Sequence, residues 1–348
     1  MRMIALFFFL TATAALAQKC EPGCLPQSNT ATIEADGTAR ITRVIPVPTT
    51  ISPEARALAR TQLGPAPESL EELRTWMDSF RKARLEQARR LYPVNIEKKT
   101  VGGVRTDVIS PLTIPKRKRN CVLINLHGGG FVADSGSLVE GIPIANLTQM
   151  KVVSVYYRLA PEHPFPAAVE DTVAVYKELL RTYRPEHIGL FGTSAGAIPT
   201  VETAVKLRQL GLPLPAALGI FSGTGDLNRS WDDSQALFTV TGFGGPQHQE
   251  PVVDLNAYVG KTDPKDPVLS PLYASLNGFP PSLFVTSTRD ILLSGTTILH
   301  RAFLRAGVEA DLVVFEALPH GFWCHYQLPE TREALAIMAR FFDRRVGR

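Results

Sequence analysis

Five consecutive residues, Gly192-Thr193-Ser194-Ala195-Gly196, place a serine between two glycines at the spacing G-x-S-x-G. The apolar segment 187–191 before them indicates a buried strand, and residues 197–210 after them carry apolar side chains at helical spacing. A serine on a tight turn between strand and helix is placed to act as a nucleophile, and small neighbours relieve the strained backbone. The helix N-terminus also favours developing negative charge. The pattern therefore predicts Ser194 as a catalytic nucleophile.

A serine hydroxyl needs a base to remove its proton, and a histidine and an acid follow in suitable places. Asp290 lies just past the predicted strand 282–288, and His320 lies past the predicted strand 311–315 and before Gly321. Catalytic groups gather where parallel strands end at one edge of a sheet. We therefore expect His320 to be the base and Asp290 to orient and stabilise its ring.

Other assignments of these groups are weaker. Asp290 could cap the helix that follows it. The remaining downstream candidates lie inside a predicted helix, at a strand start, in an irregular segment or further from a strand end: His300, Asp311, Asp263, Asp266 and His325.

A second element, His127-Gly128-Gly129-Gly130-Phe131, directly follows the predicted strand 122–126. Consecutive glycines leave backbone N–H groups able to approach a substrate oxygen, as donors to an oxyanion must. The alternative is a flexible turn without a catalytic role. We expect His127 to hold this loop by hydrogen bonding and not to bind a metal.

The chain has 348 residues, of which 45% are hydrophobic, enough for one large α/β domain. A net charge of +4 is not typical of a nucleic-acid-binding protein. The run of four cations at 116–119 is expected to be a solvated turn, with contact to an anionic surface as the alternative.

Residues 1–17 have the features of a cleavable signal peptide: Arg2, an apolar core over 4–10 and the small residues Ala15 and Ala17. Cleavage after Ala17 predicts a secreted or periplasmic protein. The apolar stretch is too short to be a stable membrane anchor.

The four cysteines show no metal-ligand spacing with histidine, so no metal or other cofactor is expected. Export makes a disulfide between Cys20 and Cys24 feasible, but the sequence leaves that pairing open. Cys121 and Cys324 are expected to be small core residues.

Alternating strand and helix patterns predict an α/β fold with a mostly parallel central sheet covered by helices on both faces. Residues 18–92 are assigned to an N-terminal arm without periodicity, followed by cap helices. In those helices apolar residues at 70, 73, 77 and 80 form one face. Residues 93–348 are assigned to the catalytic domain, which an irregular insertion interrupts at about 223–275.

Taken together, HGGGF at 127–131, YRLAPEHPFPAAVED at 157–171, GTSAG at 192–196, Asp290 and PHGF at 319–322 resemble the hormone-sensitive-lipase-like (family IV) carboxylesterases. The resemblance spans roughly residues 70–345. Within the family, the chain is similar to bacterial acetyl-esterase and ε-lactone-hydrolase-like members. It implies an α/β-hydrolase fold and a mainly helical cap built from the N-terminal helices and the insertion. By the same resemblance the oxyanion donors are the N–H groups of Gly129, Gly130 and Ala195, with Gly128 shaping the loop. Segment 157–171 would brace that loop. One departure stands out, because Ser294-Gly295 replaces the acidic pair that usually follows the family's acid.

We therefore expect a serine carboxylesterase that hydrolyses small-molecule esters with short to medium acyl chains through an acyl-enzyme. Aromatic candidates for the acyl pocket are Phe131, Trp76, Phe80 and Phe243. A lactone hydrolase with the same residues is the alternative. A non-catalytic ligand-binding protein on this scaffold is disfavoured because His320 is present. The resemblance is compatible with a homodimer, which no surface pattern in the sequence establishes.

Overall fold

The computed structural model describes residues 30–42, 46–61, 67–228 and 255–347. The predicted signal peptide, Cys20, Cys24 and Phe243 lie outside these residues. A separate N-terminal unit contains a hairpin of β1 (Thr30–Ile33) and β2 (Ala39–Thr42), paired antiparallel. The sequence shows no period here, because four-residue strands are too short to give one.

An eight-stranded sheet forms the centre of the main unit. The strands lie in the order β10-β9-β8-β7-β5-β6-β4-β3, with β4 antiparallel to both of its neighbours and every other pair parallel. Their bounds are β3 Val94–Val101, β4 Val104–Pro111, β5 Val122–Leu126, β6 Lys151–Val155, β7 Ile188–Thr193, β8 Ala217–Phe221, β9 Ser282–Ser287 and β10 Ala310–Phe315. The predicted mostly parallel sheet is confirmed.

The bounds of the described helices are α1 Pro53–Ala59, α2 Leu70–Leu91, α3 Ser137–Thr148, α4 Ala167–Leu179, α5 Ala197–Gln209, α6 Leu255–Val259, α7 Leu293–Arg305 and α8 Pro329–Arg345. Helices α3, α4, α5, α7 and α8 pack against the sheet, and α2 packs on α3. The central strands β5, β7, β8 and β9 are buried along their whole length, as expected for strands covered on both faces. No helix within the described ranges has an apolar stretch long enough to cross a bilayer.

Helix α3 has no counterpart in the sequence predictions. Ten of its twelve residues are buried, so it is apolar on nearly every side and shows no helical period. A side chain at Gly141 would meet Ile109 and Ser154 on the sheet, at 2.6 and 2.7 Å from the added Cβ. The glycine therefore allows α3 to lie directly on β4 and β6.

The basic run at 116–119 is only partly a solvated turn. Residues Lys116–Lys118 form a 3₁₀ turn, and Lys118 is only 4% exposed. Its ammonium pairs with Asp343 on α8 and donates to the Thr148 carbonyl at 3.0 Å. The prediction was wrong for Lys118, because the partly exposed carboxylate of Asp343 and a carbonyl compensate the charge that solvent would otherwise stabilise.

Candidate active site

The serine turn is built on glycines that no larger residue could replace. β7 ends at Thr193, Ser194 has φ +57°, and α5 begins at Ala197. A Cβ on Gly192 would collide with the carbonyl of Gly196, and a Cβ on Gly196 would collide with the carbonyl of Leu126. The turn holds Ser194 in a conformation that non-glycine residues rarely adopt, and leaves its side chain half-buried.

A chain of hydrogen bonds joins Ser194 to two distant residues. His320 Nε2 lies 2.8 Å from Ser194 Oγ, and His320 Nδ1 lies 2.9 Å from Asp290 Oδ1. Because Nδ1 faces a carboxylate, it carries the ring proton and donates a hydrogen bond to Asp290. This tautomer leaves Nε2 unprotonated and able to accept the serine proton. The structure thus brings together the three side chains that the sequence singled out.

The pKa of Asp290 is below its usual value although the residue is completely buried. Burial alone raises that pKa, but the charge of His320 and hydrogen bonds from His320, the Leu292 N–H and Ser222 outweigh it. Asp290 is therefore an anion at neutral pH and can stabilise a protonated His320.

The glycine loop lies beside the serine turn. Gly129 and Gly130 have φ of +117° and +62°, and a Cβ on Gly129 would collide with the Ala133 carbonyl. A Cβ built on Gly128 would lie 3.2 Å from Ser194 Cβ, which shows how close loop and turn are. Within the described part of the chain, the N–H groups of Gly129 and Gly130 donate to no protein acceptor. They are available to an oxygen atom of a ligand.

His127 holds the loop from below. Its Nδ1 donates to the Gly128 carbonyl at 2.7 Å, and its ring stacks on Tyr157 with centroids 4.2 Å apart. The Tyr157 hydroxyl donates to the His127 carbonyl at 2.6 Å. His127 therefore hydrogen-bonds within the glycine loop through its ring, and to Tyr157 through its carbonyl. No cluster of His, Cys, Asp and Glu with the geometry of a metal site occurs among the described residues.

Comparison with known proteins decides the family. A family described as having the α/β hydrolase fold matches residues 123–324. An acetyl-hydrolase of Streptomyces hygroscopicus is 33% identical over 67% of this chain and 79% of its own length. The crystal structure of esterase E25 superposes with a TM-score of 0.75 at 29% identity, covering 87% of this chain and 97% of the other. A crystal structure of an esterase from the bacterial hormone-sensitive lipase family gives a TM-score of 0.68 at 31% identity, covering 84% and 95%.

The chain belongs to the hormone-sensitive-lipase-like esterases of the α/β-hydrolase family. The predicted fold and the predicted enzyme class, a carboxylic ester hydrolase, are confirmed.

In this esterase the segment 157–171 contacts the glycine loop. The N–H of Ala160 donates to the carbonyl of Phe131 at 2.9 Å. Arg158 forms an ion pair with Asp171 at 3.0 Å, which ties the segment's start to α4. Arg74 of α2 adds a further brace, donating from Nε to the Val132 carbonyl at 2.8 Å.

One residue of the esterase site, Ser222, was missed from the sequence. Its hydroxyl lies 2.7 Å from Asp290 Oδ1 and 2.8 Å from His320 Nδ1, and the residue is completely buried. Its φ of +55° is unusual for a residue with a side chain. The available signal was its place directly after β8, at the same sheet edge as Asp290 and His320.

The aromatic candidates lie in different surroundings. Trp76 and Phe80 on α2 stack with centroids 5.5 Å apart, and Phe80 contacts His325 edge-on at 6.4 Å. Phe131 is 1% exposed and stacks on Tyr258 at 3.5 Å, so its ring anchors the glycine loop to α6. Their part in an acyl pocket stays a prediction.

The rejected histidines have other contacts. His300 Nε2 bonds the Ala310 carbonyl at 3.1 Å. Both ring nitrogens of His325 lie 3.4 Å from Arg84 Nη2, and burial together with that cation lowers the pKa of His325 to about 4. Within the described residues, neither ring hydrogen-bonds Ser194, whose hydroxyl bonds His320.

The departure at Ser294-Gly295 has a packing explanation. A Cβ on Gly295 would lie 2.6 Å from Thr224 Cβ, and the hydroxyl of Thr296 donates to the Gly223 carbonyl at 2.8 Å. The start of α7 therefore packs directly against the chain that follows Ser222. An acidic side chain at position 295 could not fit there.

Proposed function

We propose that this esterase is a serine carboxylesterase that cleaves short to medium acyl esters through a covalent acyl-enzyme. The observation that carries the proposal is the 2.8 Å contact from Ser194 Oγ to His320 Nε2, continued to Asp290 at 2.9 Å. A serine, a base and an orienting acid within hydrogen-bonding distance are the arrangement that nucleophilic acyl transfer requires.

In the first half-reaction Ser194 Oγ attacks the ester carbonyl carbon while His320 Nε2 takes the hydroxyl proton. The carbonyl oxygen becomes an anion, which the N–H groups of Gly129, Gly130 and Ala195 stabilise. Each such donor typically contributes about 3 kcal/mol to the transition state. The C–O bond to the alcohol then breaks, His320 returns its proton to the leaving oxygen, and the acyl group stays on Ser194.

In the second half-reaction water replaces the alcohol. His320 removes a proton from the water as it attacks the acyl carbon, and the same N–H groups hold the second oxyanion. The bond to Ser194 Oγ breaks, the serine recovers its proton from His320, and the carboxylic acid leaves. The ionised Asp290 balances the charge of the imidazolium in both halves.

The acyl range rests on two considerations. The relative from Streptomyces hygroscopicus is named for acetyl groups, which supports short chains. The resemblance to capped esterases makes Trp76 and Phe80 on α2 candidates for contact with longer acyl groups. Alanine at either position should change the preference among acyl lengths; an unchanged preference at both would remove them from the pocket.

Covalent labelling tests the mechanism. A fluorophosphonate probe should label the wild type at Ser194, and Ser194→Ala should abolish both labelling and hydrolysis of nitrophenyl esters. Labelling that survives in Ser194→Ala would contradict the assignment of Ser194 as the nucleophile. Nitrophenyl esters of graded chain length, assayed beside a set of lactones, measure the acyl range and distinguish an esterase from a lactone hydrolase.

We also propose export, from the signal-peptide features of residues 1–17. N-terminal sequencing of protein from an expressing cell should begin at Gln18. A mature chain that still carries Met1 would contradict the proposal.

A further inference from the structure

Glu140 is a buried carboxyl that contacts the glycine loop. It lies in the first turn of α3 and is 5% exposed. Its two oxygens receive hydrogen bonds from different parts of the site: Oε1 from the Gly128 N–H at 3.4 Å, and Oε2 from Asn125 Nδ2 at 3.2 Å. The hydroxyl of Thr193 lies close enough to the carboxyl to lower its pKa, and both residues line the same small cavity.

These contacts join the two halves of the site. Gly128 belongs to the glycine loop, and Thr193 directly precedes Ser194. Trp323, three residues past His320, donates from Nε1 to the Thr193 hydroxyl at 3.2 Å. One side chain thus contacts the loop that carries oxyanion donors and the turn that carries the nucleophile.

We propose that Glu140 is a positioning residue of the active site, whose carboxyl holds the glycine loop and the serine turn at their working separation. The proposal rests on the proposed serine-esterase mechanism. It assigns no contact between Glu140 and the substrate, since Glu140 acts through Gly128 and Thr193.

The protonation state follows from the surroundings. Burial raises the pKa of Glu140 to about 8, and the hydrogen bonds from Asn125 and Gly128, with the nearby Thr193 hydroxyl, offset only part of that rise. The nearby carboxylate of Asp134 raises it further. At neutral pH the carboxyl is neutral, and above about pH 8 it becomes a buried anion.

Other titratable groups face Glu140 from the neighbouring elements, and none of them changes charge in the same range. Burial raises the pKa values of Tyr157, Cys324 and Tyr326, so these groups stay neutral near pH 8. Burial raises the pKa of Asp134, but the charge of His127 and the hydrogen bonds from Ser137 lower it by more. Asp134 therefore stays ionised. Glu140 is therefore the member of this cluster that titrates on the alkaline side.

Ionisation of Glu140 should impair catalysis in two ways. A negative charge beside Gly128 opposes the negative charge that develops at the neighbouring oxyanion donors. It also strengthens the pull on the Gly128 N–H, which shifts the loop that presents those donors. Because a misplacement of about 1 Å can cost roughly 100-fold in rate, kcat should fall while KM changes little.

The experiment compares kcat and KM from about pH 6 to about pH 10 in the wild type, Glu140→Gln and Glu140→Leu. Gln keeps the shape and one acceptor oxygen, which can receive the Gly128 N–H, and it does not ionise. It should keep kcat within about twofold of the wild type at neutral pH and should lack the wild-type fall above about pH 8. Leu removes the hydrogen bonds and should lower kcat by about tenfold to 100-fold at an unchanged KM.

Glu202→Gln is the matched control. Glu202 is another completely buried carboxyl, bonded instead to the Tyr258 hydroxyl at 2.5 Å, so its replacement should leave the alkaline fall in place. An alkaline fall in Glu140→Gln identical to that of the wild type would overturn the proposal. So would wild-type kcat in Glu140→Leu.

The rate of fluorophosphonate labelling, followed over the same pH range, separates this inference from the proposed function. It reports Ser194 reactivity without any ester substrate. A wild type that hydrolyses no ester of the panel contradicts the proposed function. A labelling rate with the same alkaline fall in the wild type and Glu140→Gln contradicts the role of Glu140 alone.

Discussion

Ser222 Oγ lies 2.7 Å from Asp290 Oδ1, where neither residue is reached by solvent. The same carboxylate oxygen receives His320 Nδ1 at 2.9 Å and the Leu292 N–H at 2.8 Å. Within the described residues, Oδ2 of Asp290 has no hydrogen-bond partner. The orientation of the carboxylate toward His320 therefore depends on three hydrogen bonds to a single oxygen, and Ser222 supplies one of them.

Removing the Ser222 hydroxyl should slow catalysis. Hydrogen bonds to charged groups contribute about 1.5–3 kcal/mol, so kcat of Ser222→Ala should fall by roughly tenfold to 100-fold. Ser222→Gly is the informative companion, since glycine adopts φ +55° without strain and also lacks the hydroxyl. Both variants should lose activity alike in steady-state assays, and Ala should be the less stable of the two in urea, because only Ala keeps the strained φ that Ser222 also has. Wild-type kcat in Ser222→Gly would show that the hydroxyl is dispensable.

Asp290→Asn tests the charge that faces His320. The amide keeps the shape but cannot balance an imidazolium, and it disturbs the tautomer in which Nδ1 carries the proton. We expect kcat to fall by about 10³–10⁴-fold in nitrophenyl ester assays. Asp311→Asn, a matched change at an exposed position on β10, should leave kcat near that of the wild type. Equal activities of the two variants would contradict the assignment of Asp290.

The glycines of the serine turn should tolerate no side chain. Gly196→Ala would drive a methyl group into the Leu126 carbonyl, so the free energy of unfolding should drop by about 3 kcal/mol or more. Gly211→Ala is the control, because Gly211 has φ +65° but open space around it, and only backbone strain of about 1–2 kcal/mol is expected. Urea unfolding measures both. If Gly196→Ala loses less free energy of unfolding than Gly211→Ala, the serine turn does not approach β5 closely enough to exclude a methyl group.

The positions of Ser194, Asp290 and His320 could be predicted because each follows a strand with a clear apolar pattern. Parallel strands end at one edge, so chain order and strand ends suffice to bring such residues together. Ser222 could not be recognised in the same way, because its contact with Asp290 spans 68 positions and a serine after a strand is common in turns.

Glu140 could not be predicted from the sequence for a different reason. Helix α3 is apolar on nearly all sides, so neither the helix nor its one buried carboxyl shows a period.

Glu140 should also make folding stability depend on pH, with a sign that follows from its pKa. The folded protein raises that pKa from 4.5 to about 8. Between these values the folded state keeps a proton that the unfolded state has released. The free energy of unfolding must therefore decrease as pH rises, by roughly 1.4 kcal/mol per pH unit for this one group, and the loss ends above about pH 8. Urea unfolding at several pH values measures the slope.

Glu140→Gln should remove this part of the slope, because an amide does not titrate. The free energies of unfolding of the variant and the wild type should differ least near pH 4.5, the usual carboxyl pKa. Toward about pH 8 the variant should become steadily more stable relative to the wild type. Glu71→Gln changes an exposed residue in the first turn of α2, so its free energy of unfolding should change with pH in parallel with that of the wild type. If the difference between Glu140→Gln and the wild type stays constant over the whole range, Glu140 keeps an ordinary pKa in the folded protein. In that case the carboxyl is ionised at neutral pH, and an alkaline fall in kcat must come from another group.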